Sequence, residues 1–199
     1  MNTKVIVGVV AAVVVVIAAA AYFVIPIWSS TAKWKGPVKE IESEKFTKEG
    51  DVTTIQFSSR LEAPLDKVQT AMWGVERGAE SVEGIRQSNL VKQEGNTKVV
   101  ELQLKLLSLP LQQFTMEFTL DQAKHRMSFK TLQSQTQDLN GWYQLEGSPD
   151  GTQTHVSYEA KSRAKVPLPV PQSVQESAQK EFFVNTLRGI KKRAQAPTG

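Results

Sequence analysis

Cysteine is absent from the 199-residue chain, and this absence excludes disulfide bonds, thiolate metal ligands and cysteine nucleophiles. Histidine is scarce: only His125 and His155 could supply an imidazole, so a zinc site would depend mainly on carboxylates. His125 lies beside a predicted hairpin turn and His155 on the polar face of a predicted strand, and we expect both to be solvated. We therefore predict no metal site and no cofactor.

Sequence motifs that carry chemistry are also missing. The chain contains no Gly-x-Ser-x-Gly nucleophile turn, no glycine-rich phosphate loop and no His-Glu-x-x-His zinc motif. No pair of carboxylates stands out as an acid–base couple, although general acid–base catalysis requires such a group beside the substrate. We assign no catalytic residue, and the sequence favours binding over catalysis.

Neither sign of charge dominates the sequence, which has 24 Lys and Arg against 20 Asp and Glu. The two signs are interspersed, whereas nucleic-acid binding calls for a concentrated basic stripe. The densest basic cluster, at residues 188–193, falls at the end of a predicted helix, where cations complement the helix dipole. We therefore expect no nucleic-acid partner and assign this cluster to helix capping.

One long hydrophobic run stands near the N-terminus. Residues 5–27 contain no charged side chain, and the run exceeds the about 20 residues needed to cross a bilayer. Lys4 precedes it, and Tyr22, Phe23 and Trp28 lie at its far end, as in an aromatic interface belt. The run predicts a single transmembrane helix at 5–27 that acts as a signal anchor.

A cleaved signal peptide is the alternative, because Ser30-Thr31-Ala32 resembles a small-residue cleavage site. The apolar part of a signal peptide is only about 7–15 residues long, which favours the anchor. For the topology, Lys4 favours a domain outside the cytoplasm, whereas four lysines between residues 33 and 45 favour the opposite. These signals conflict, and we predict that the domain lies outside the cytoplasm, in the periplasm or the extracellular space.

The remainder of the chain divides into a linker and a folded domain. Residues 28–50 are polar and show no period, so they predict a linker that leads into a domain at 51–195. Apolar and polar residues alternate along segments such as 100–106 and 114–120, which predicts half-buried strands. Pro149-Asp150-Gly151 is a turn signal between two of these strands.

Two segments have helical rather than alternating periodicity. Pro64 suits the first turn of a helix, and apolar residues recur at helical spacing from Leu65 to Met72. After a proline-rich loop, the period predicts an amphipathic helix of about 22–24 residues. The overall order predicts an α+β fold: a curved antiparallel sheet of about seven strands wrapped around a long C-terminal helix. The apolar stripe of that helix contains Val174, Ala178, Phe182, Thr186, Ile190 and Ala194, broadened by Phe183 and Leu187.

Local sequences support a family resemblance over the whole predicted domain. Residues 60–68 (RLEAPLDKV) form a strand-Ala-Pro-x-x-x-Val entry into the first helix, and residues 141–145 (GWYQL) precede the turn at 150–152. With the element order, they resemble the START-like (SRPBCC) helix-grip superfamily, nearest its polyketide cyclase/dehydrase and lipid-transport or coenzyme-Q-binding branches. The segment 75–83 departs from that pattern because it is short and lacks the usual terminal aromatic residue.

The resemblance implies a deep cavity between the sheet and the long helix that holds lipids or other apolar molecules. Tyr143 and Tyr158 are the expected polar contacts, since a buried phenol needs a hydrogen-bond partner. The same residue types also fill ordinary cores, so the sequence leaves cavity and core as alternatives. The candidate ligand-binding residues on predicted inward faces are Phe57, Leu102, Leu104, Met116, Phe118, Phe129, Tyr143, Tyr158, Phe182 and Phe183.

These observations predict a membrane-anchored domain that binds or transfers a lipid or quinone-like molecule. A non-catalytic protein-interaction scaffold with a filled core is one alternative, and a cyclase- or hydrolase-type enzyme that uses the same cavity is another. A cavity much smaller than the roughly 300 Å³ of typical ligand sites would favour the scaffold. Ligand identity and oligomeric state are left open by the sequence.

The proline-rich loop at 166–171 reads Val-Pro-Leu-Pro-Val-Pro, which is unusually apolar for a loop. Proline fixes φ and lacks an amide donor, so the loop is expected to be stiff, extended and unpaired with the sheet. Val166, Leu168 and Val170 then need apolar surroundings. We predict that these three residues form a gate beside the long helix that contacts lipid during exchange. The alternative is a rigid connector over the edge of the sheet.

The gate predicts a specific effect of Leu168→Asp. The charge should hinder contact with lipid, so the variant is expected to take up ligand from vesicles more slowly than the wild-type chain. Its melting temperature should stay nearly unchanged, because a gate residue is not part of the core. Uptake kinetics and thermal unfolding check the two expectations. A large fall in melting temperature would instead place Leu168 in the core and end the gate hypothesis.

Overall fold

The computed structural model of the protein describes residues 33–106, 109–166 and 170–196. The predicted transmembrane helix at 5–27, the cleavage-like sequence after it and Leu168 lie outside these ranges. Within them, no helix is both long and apolar enough to cross a membrane. The chain divides into two compact units after residue 37, and the second unit, Val38–Gly199, contains every strand and helix described below.

A single antiparallel sheet forms the body of this unit. Its strands are β1 (Ser43–Glu49), β2 (Val52–Leu61), β3 (Ile85–Glu94), β4 (Thr97–Leu104), β5 (Gln112–Asp121), β6 (Arg126–Ser134), β7 (Gln137–Gly147) and β8 (Thr154–Ala164). They are arranged in the order β1-β2-β8-β7-β6-β5-β4-β3, so that β2 at the start of the domain pairs with β8 near its end. The curved sheet and the α+β class agree with the sequence prediction.

The sheet has eight strands rather than the predicted seven or so, because β1 lies inside the segment 28–50 that was expected to be a linker. The sequence Ser43–Glu49 contains one large apolar residue, Phe46, and no alternation. Backbone pairing with β2 rather than side-chain burial defines this edge strand. Phe46 packs edge-on against Phe57, with ring centroids 5.5 Å apart.

Three helical segments accompany the sheet. Helix α1 (Leu65–Trp73) follows Pro64 and buries Val68, Ala71 and Met72. A 3-10 turn at Val75–Arg77 leads into the single turn of α2 (Gly78–Ser81), which agrees with a short second helix. The C-terminal helix α3 (Gln172–Ala194) has 23 residues, within the predicted length.

Turn chemistry sets the hairpins. In the β7–β8 turn, Oδ1 of Asp150 accepts hydrogen bonds from Ser148 and Thr152, and Gly151 has φ +71°. In the β5–β6 turn, His125 has φ 51° and its Nδ1 lies 2.6 Å from Oε1 of Gln69 on α1. His125 is therefore half-buried and bonded rather than solvated, which corrects the expectation from sequence. His155 is also half-buried.

Helix α3 packs its apolar side against the inward face of the sheet. Phe183 lies 4.9 Å from Phe57 of β2, measured between ring centroids. The basic cluster at 188–193 does more than the predicted capping. Arg188 bonds Glu40, and Lys191 bonds Glu62 at 2.6 Å. Its charges therefore attach α3 to the segment before β1 and to the segment after β2.

Gly141 on β7 is required by close packing within the sheet. A Cβ atom there would stand 2.1 Å from the carbonyl oxygen of Glu159 and 2.8 Å from the ring of Phe129. The absence of a side chain lets Phe129 lie across the strand. Gly147, on the same strand, would meet nothing closer than 3.4 Å, from the side chain of Leu65.

Gly141→Ala is therefore expected to reduce the free energy of unfolding by about 2–3 kcal/mol, as overpacking of a close contact does. Gly147→Ala is the matched control, and its effect should stay within about 0.5 kcal/mol. Urea unfolding followed by tryptophan fluorescence measures both. Equal stabilities of the two variants would contradict the close approach at Gly141.

Candidate ligand-binding cavity

A cavity of about 100 Å³ lies between α3, the inward face of the sheet and the segment that joins α1 to β3. Strands β4, β5 and β6 supply seven of its apolar residues. Eight of the ten predicted ligand-binding residues line it: Leu102, Leu104, Met116, Phe118, Phe129, Tyr143, Tyr158 and Phe182. The sequence therefore located the wall of the cavity, while ligand binding by these residues remains a prediction.

Phe57 and Phe183 do not line the cavity. They pack against each other and against Tyr158, at ring-centroid distances of 4.9 to 6.0 Å, and both are about 2% exposed. This aromatic cluster fills the space between α3 and strands β2 and β8. The predicted alternatives of cavity and core are thus both present, on adjacent faces of one helix.

Further wall residues do not belong to the pattern of inward aromatic residues. Three of them, Val75, Val82 and Ile85, lie between the 3-10 turn and the first residue of β3, where no strong period exists. Thr186 and Ile190 were recognised as part of the helical stripe but not as wall residues. The charged residue Arg193 follows Ile190 by three positions, a spacing that places both on one helix face.

Methionine is concentrated at the cavity. The chain has 4 Met, and three of them, Met72, Met116 and Met127, line the wall. An unbranched thioether side chain changes rotamer easily and fills irregular gaps. These three side chains give the wall a means of adjusting its volume.

Two tyrosines bring hydroxyl groups to the wall. Tyr143 and Tyr158 are 8% and 7% exposed, with ring centroids 4.8 Å apart. Burial raises the pKa of both phenols well above the usual value, so both stay protonated at physiological pH. Neither hydroxyl has a hydrogen-bond partner within the part of the chain that the structure describes. Both are available as donors.

Two amide groups on the wall, those of Gln112 and Gln137, are paired with each other. Nε2 of Gln137 donates to Oε1 of Gln112 at 3.1 Å, and Ser162 donates to Oε1 of Gln137 at 3.1 Å. Gln112 is 3% exposed, so this pairing satisfies an amide that would otherwise be buried alone. These groups contribute a neutral polar section to an apolar wall.

Two polar groups of α3 are buried without a partner. The hydroxyl of Thr186 and Nε of Arg193 both lack a hydrogen bond, and both residues line the cavity. A buried polar group left unpaired costs about 1–3 kcal/mol, so such groups are rare in folded proteins. These two unpaired polar groups of the cavity wall therefore lie on one face of α3.

The two described residues of the predicted gate differ in their surroundings. Val166 is 45% exposed, whereas Val170 packs against the core. The carbonyl oxygen of Val170 accepts a hydrogen bond from Gln175 at 3.1 Å, which attaches the end of the loop to α3. The exchange role of the loop stays a prediction.

A second depression, of about 470 Å³, lies on the opposite face of strands β3 to β6. Its wall includes Glu101 and Gln113, which alternate along their strands with the inward residues, and Gln133, which a bulge in the β5–β6 pairing places opposite the outward Thr115. The larger volume does not make it a site for an apolar molecule, because polar side chains dominate its surface. The inward cavity is the candidate site.

Solved structures with this fold come from several bacteria. The Zhui aromatase/cyclase from Streptomyces sp. R1128 superimposes with a TM-score of 0.64 at 13% identity, over 72% of this chain and 94% of that chain. A START superfamily protein from Mycobacterium smegmatis gives 0.60 at 10% identity, over 71% and 97%. A protein from Thermus thermophilus gives 0.61 at 14% identity, over 71% and 96%.

The sequence matches no protein-family model and no curated protein. At 10 to 14% identity, the structural likeness is evidence of fold alone. It confirms the expected helix-grip fold, in which a curved antiparallel sheet holds a long C-terminal helix. The function must be argued from the cavity.

Thr186→Val is expected to raise the free energy of unfolding of the ligand-free protein by about 1 kcal/mol. The substitution keeps the shape of the side chain and removes an unpaired hydroxyl. Such a gain corresponds to a melting temperature higher by about 2–4 °C. Thermal unfolding of the full chain in detergent measures it.

Thr154→Val is the matched control. The Thr154 hydroxyl is fully buried and donates to the carbonyl oxygen of Ala63 at 2.8 Å. Its loss leaves that carbonyl unpaired and should destabilise the protein by about 1–3 kcal/mol. If both valine variants lose stability equally, the Thr186 hydroxyl has a partner after all.

Proposed function

We propose that the domain binds an apolar small molecule, such as a lipid or a quinone-like compound, in the cavity between the sheet and α3. The composition of the wall carries this proposal: it is apolar, with two phenol donors and two unpaired groups of α3. Ligand sites combine apolar walls with a few polar groups in this way. A packed core that served only stability would leave fewer buried donors unpaired.

The volume of about 100 Å³ requires the wall to move when a ligand enters, since drug-sized sites occupy about 300 Å³ or more. Met72, Met116 and Met127 can change rotamer without loss of backbone hydrogen bonds. The cluster of Phe57, Tyr158 and Phe183 is stacked and less adaptable. Expansion is therefore expected on the methionine side of α3.

Membrane tethering is the second part of the proposal. The uncharged run at 5–27 supports an anchor that keeps the domain at a bilayer surface, where apolar molecules are concentrated. A domain held there could take up or deliver its ligand without release into water. Reporter fusions placed after residue 50 would determine on which side of the membrane the domain lies.

The test uses the full chain in detergent and a neutral, diazirine-bearing fatty alcohol as a photoreactive probe. Labelling of the wild-type protein should saturate and map to peptides of β4–β6 and α3. Thr186→Phe places a ring in the cavity and should reduce labelling about tenfold. Ser177→Phe introduces the same ring at an exposed position of the same helix and should leave labelling unchanged.

Saturable labelling that is equal in the two phenylalanine variants would place the probe elsewhere and contradict the proposed cavity. Thermal unfolding of both variants shows whether each retains the fold. Absence of saturable labelling in the wild-type protein would contradict the binding function itself.

A protein-interaction scaffold is the second candidate, and the small volume of the cavity favours it. The experiment above separates the two candidates, because a scaffold with a closed core would not accept the probe. Catalysis has less support: among the described wall residues there is no carboxylate or imidazole to act as a base.

A further inference from the structure

One stripe of α3 runs along the whole cavity. Gln179, Phe182, Thr186, Ile190 and Arg193 all line the wall, at spacings of three and four residues. A helix rises 1.5 Å per residue, so this stripe is roughly 21 Å long. A stripe of this length matches a single extended chain better than a compact fused ring system.

The polarity of this stripe is uneven. Arg193, at its C-terminal end, is the single formally charged residue among the described residues that line the cavity. The residues before it are neutral, and two of them, Phe182 and Ile190, are large and apolar. The cavity is thus amphipathic along its length, with its charged group at one end.

The charge of Arg193 is not neutralised by its neighbours. The two nearby carboxylates already have cation partners: Glu76 pairs with Lys98 at 2.8 Å, and Glu80 pairs with Arg77 at 3.0 Å. Each of these ion pairs is neutral in itself. The charge of Arg193 therefore remains as one net positive charge at this end of the cavity. Burial lowers the pKa of the Arg193 guanidinium, but arginine remains protonated at physiological pH.

The hydrogen-bonding capacity of Arg193 is also incomplete. Nη1 donates to the carbonyl oxygen of Gly74, which fixes the position of the side chain. Nε is buried and has no partner. A guanidinium presents its donors as a planar fork that matches a carboxylate, so an anionic group is the partner that satisfies both its charge and its free N–H.

We propose that the ligand is a single-chain amphiphile with a carboxylate head, whose head binds Arg193 and whose tail lies along α3 toward Gln179. This proposal rests on the proposed binding function and specifies the class of ligand. The Thr186 hydroxyl lies about two turns from Arg193, where it can bond a polar atom within the chain. A carboxylate fits one unpaired cation better than a doubly charged phosphate does.

The experiment measures competition against the neutral photoreactive fatty alcohol in the full chain. The competitors are oleic acid, its methyl ester and a monoacylglycerol phosphate with the same chain. Wild-type protein, Arg193→Gln and Arg193→Lys are compared with Lys192→Gln. Lys192 is exposed on the same helix, so Lys192→Gln removes an equal charge outside the cavity. Comparing variants for each competitor cancels differences in how the competitors partition into detergent.

Arg193→Gln should weaken competition by oleic acid about tenfold or more and leave the methyl ester unchanged, because a charged hydrogen bond is lost. Arg193→Lys should retain part of the preference, and Lys192→Gln all of it. If Arg193→Gln weakens competition by the phosphate more than competition by oleic acid, the head group is a phosphate and the proposed class is overturned.

Two outcomes separate this inference from the proposed function. If the neutral probe labels the cavity but Arg193→Gln leaves competition by oleic acid unchanged, the head-group assignment is wrong and the binding function stands. If the neutral probe does not label the wild-type protein, the proposed binding function itself is contradicted. Retained labelling of Arg193→Gln by the neutral probe also shows that the variant is folded.

Discussion

One long helix, α3, has to cover the inward face of an eight-stranded sheet with only the short α1 and α2 beside it, and it is too narrow to do so. Eight strands about 4.8 Å apart make a surface roughly 34 Å wide, whereas a helix with its side chains is about 10–12 Å across. Curvature brings the two ends of the sheet toward the helix but does not remove the mismatch. Aromatic rings close the gap on the β2 and β8 side of α3, where Phe57 and Phe183 stack. On the β4 to β6 side the gap persists as the cavity.

The same constraint explains where polar groups are tolerated. At the α1 corner, Lys98 is buried on the inward face of β4, and its ammonium is satisfied by Glu76, the carbonyl oxygen of Trp73 and the Trp73 ring at 4.7 Å. A buried charge without such partners would be strongly destabilising. Arg193, which lies close to this cluster, has only one of its donors engaged in the described structure. The contrast between two neighbouring cations distinguishes a structural charge from one with remaining binding capacity.

Periodicity predicted most of this architecture, and its failures have physical causes. Strands β2, β4, β5 and β8 bury one face, so their alternation is visible in the sequence, whereas the edge strand β1 is held by backbone bonds and leaves no such pattern. Phe182 and Phe183 are adjacent and both apolar, and a rotation of about 100° between them sends one to the cavity and the other to the core. Arg193 was hidden within a basic cluster that resembled capping charge. Composition could not distinguish Arg193 from the other basic residues. Its charge is unneutralised only because Glu76 and Glu80 are paired with other cations.

Unpaired polar groups in the cavity also couple ligand binding to the free energy of unfolding of the domain. Each such group lowers the stability of the ligand-free domain by about 1–3 kcal/mol, against a total of about 5–15 kcal/mol for a typical domain. A ligand that supplies the missing partners removes this cost and binds the folded state alone, so it raises the free energy of unfolding in proportion to the logarithm of its concentration. Replacing the same groups by apolar ones of equal shape would stabilise the empty domain and weaken its selectivity for a polar head. The empty domain is therefore less stable than one with a fully apolar core would be, and under the proposed function that difference would favour a ligand that carries polar groups.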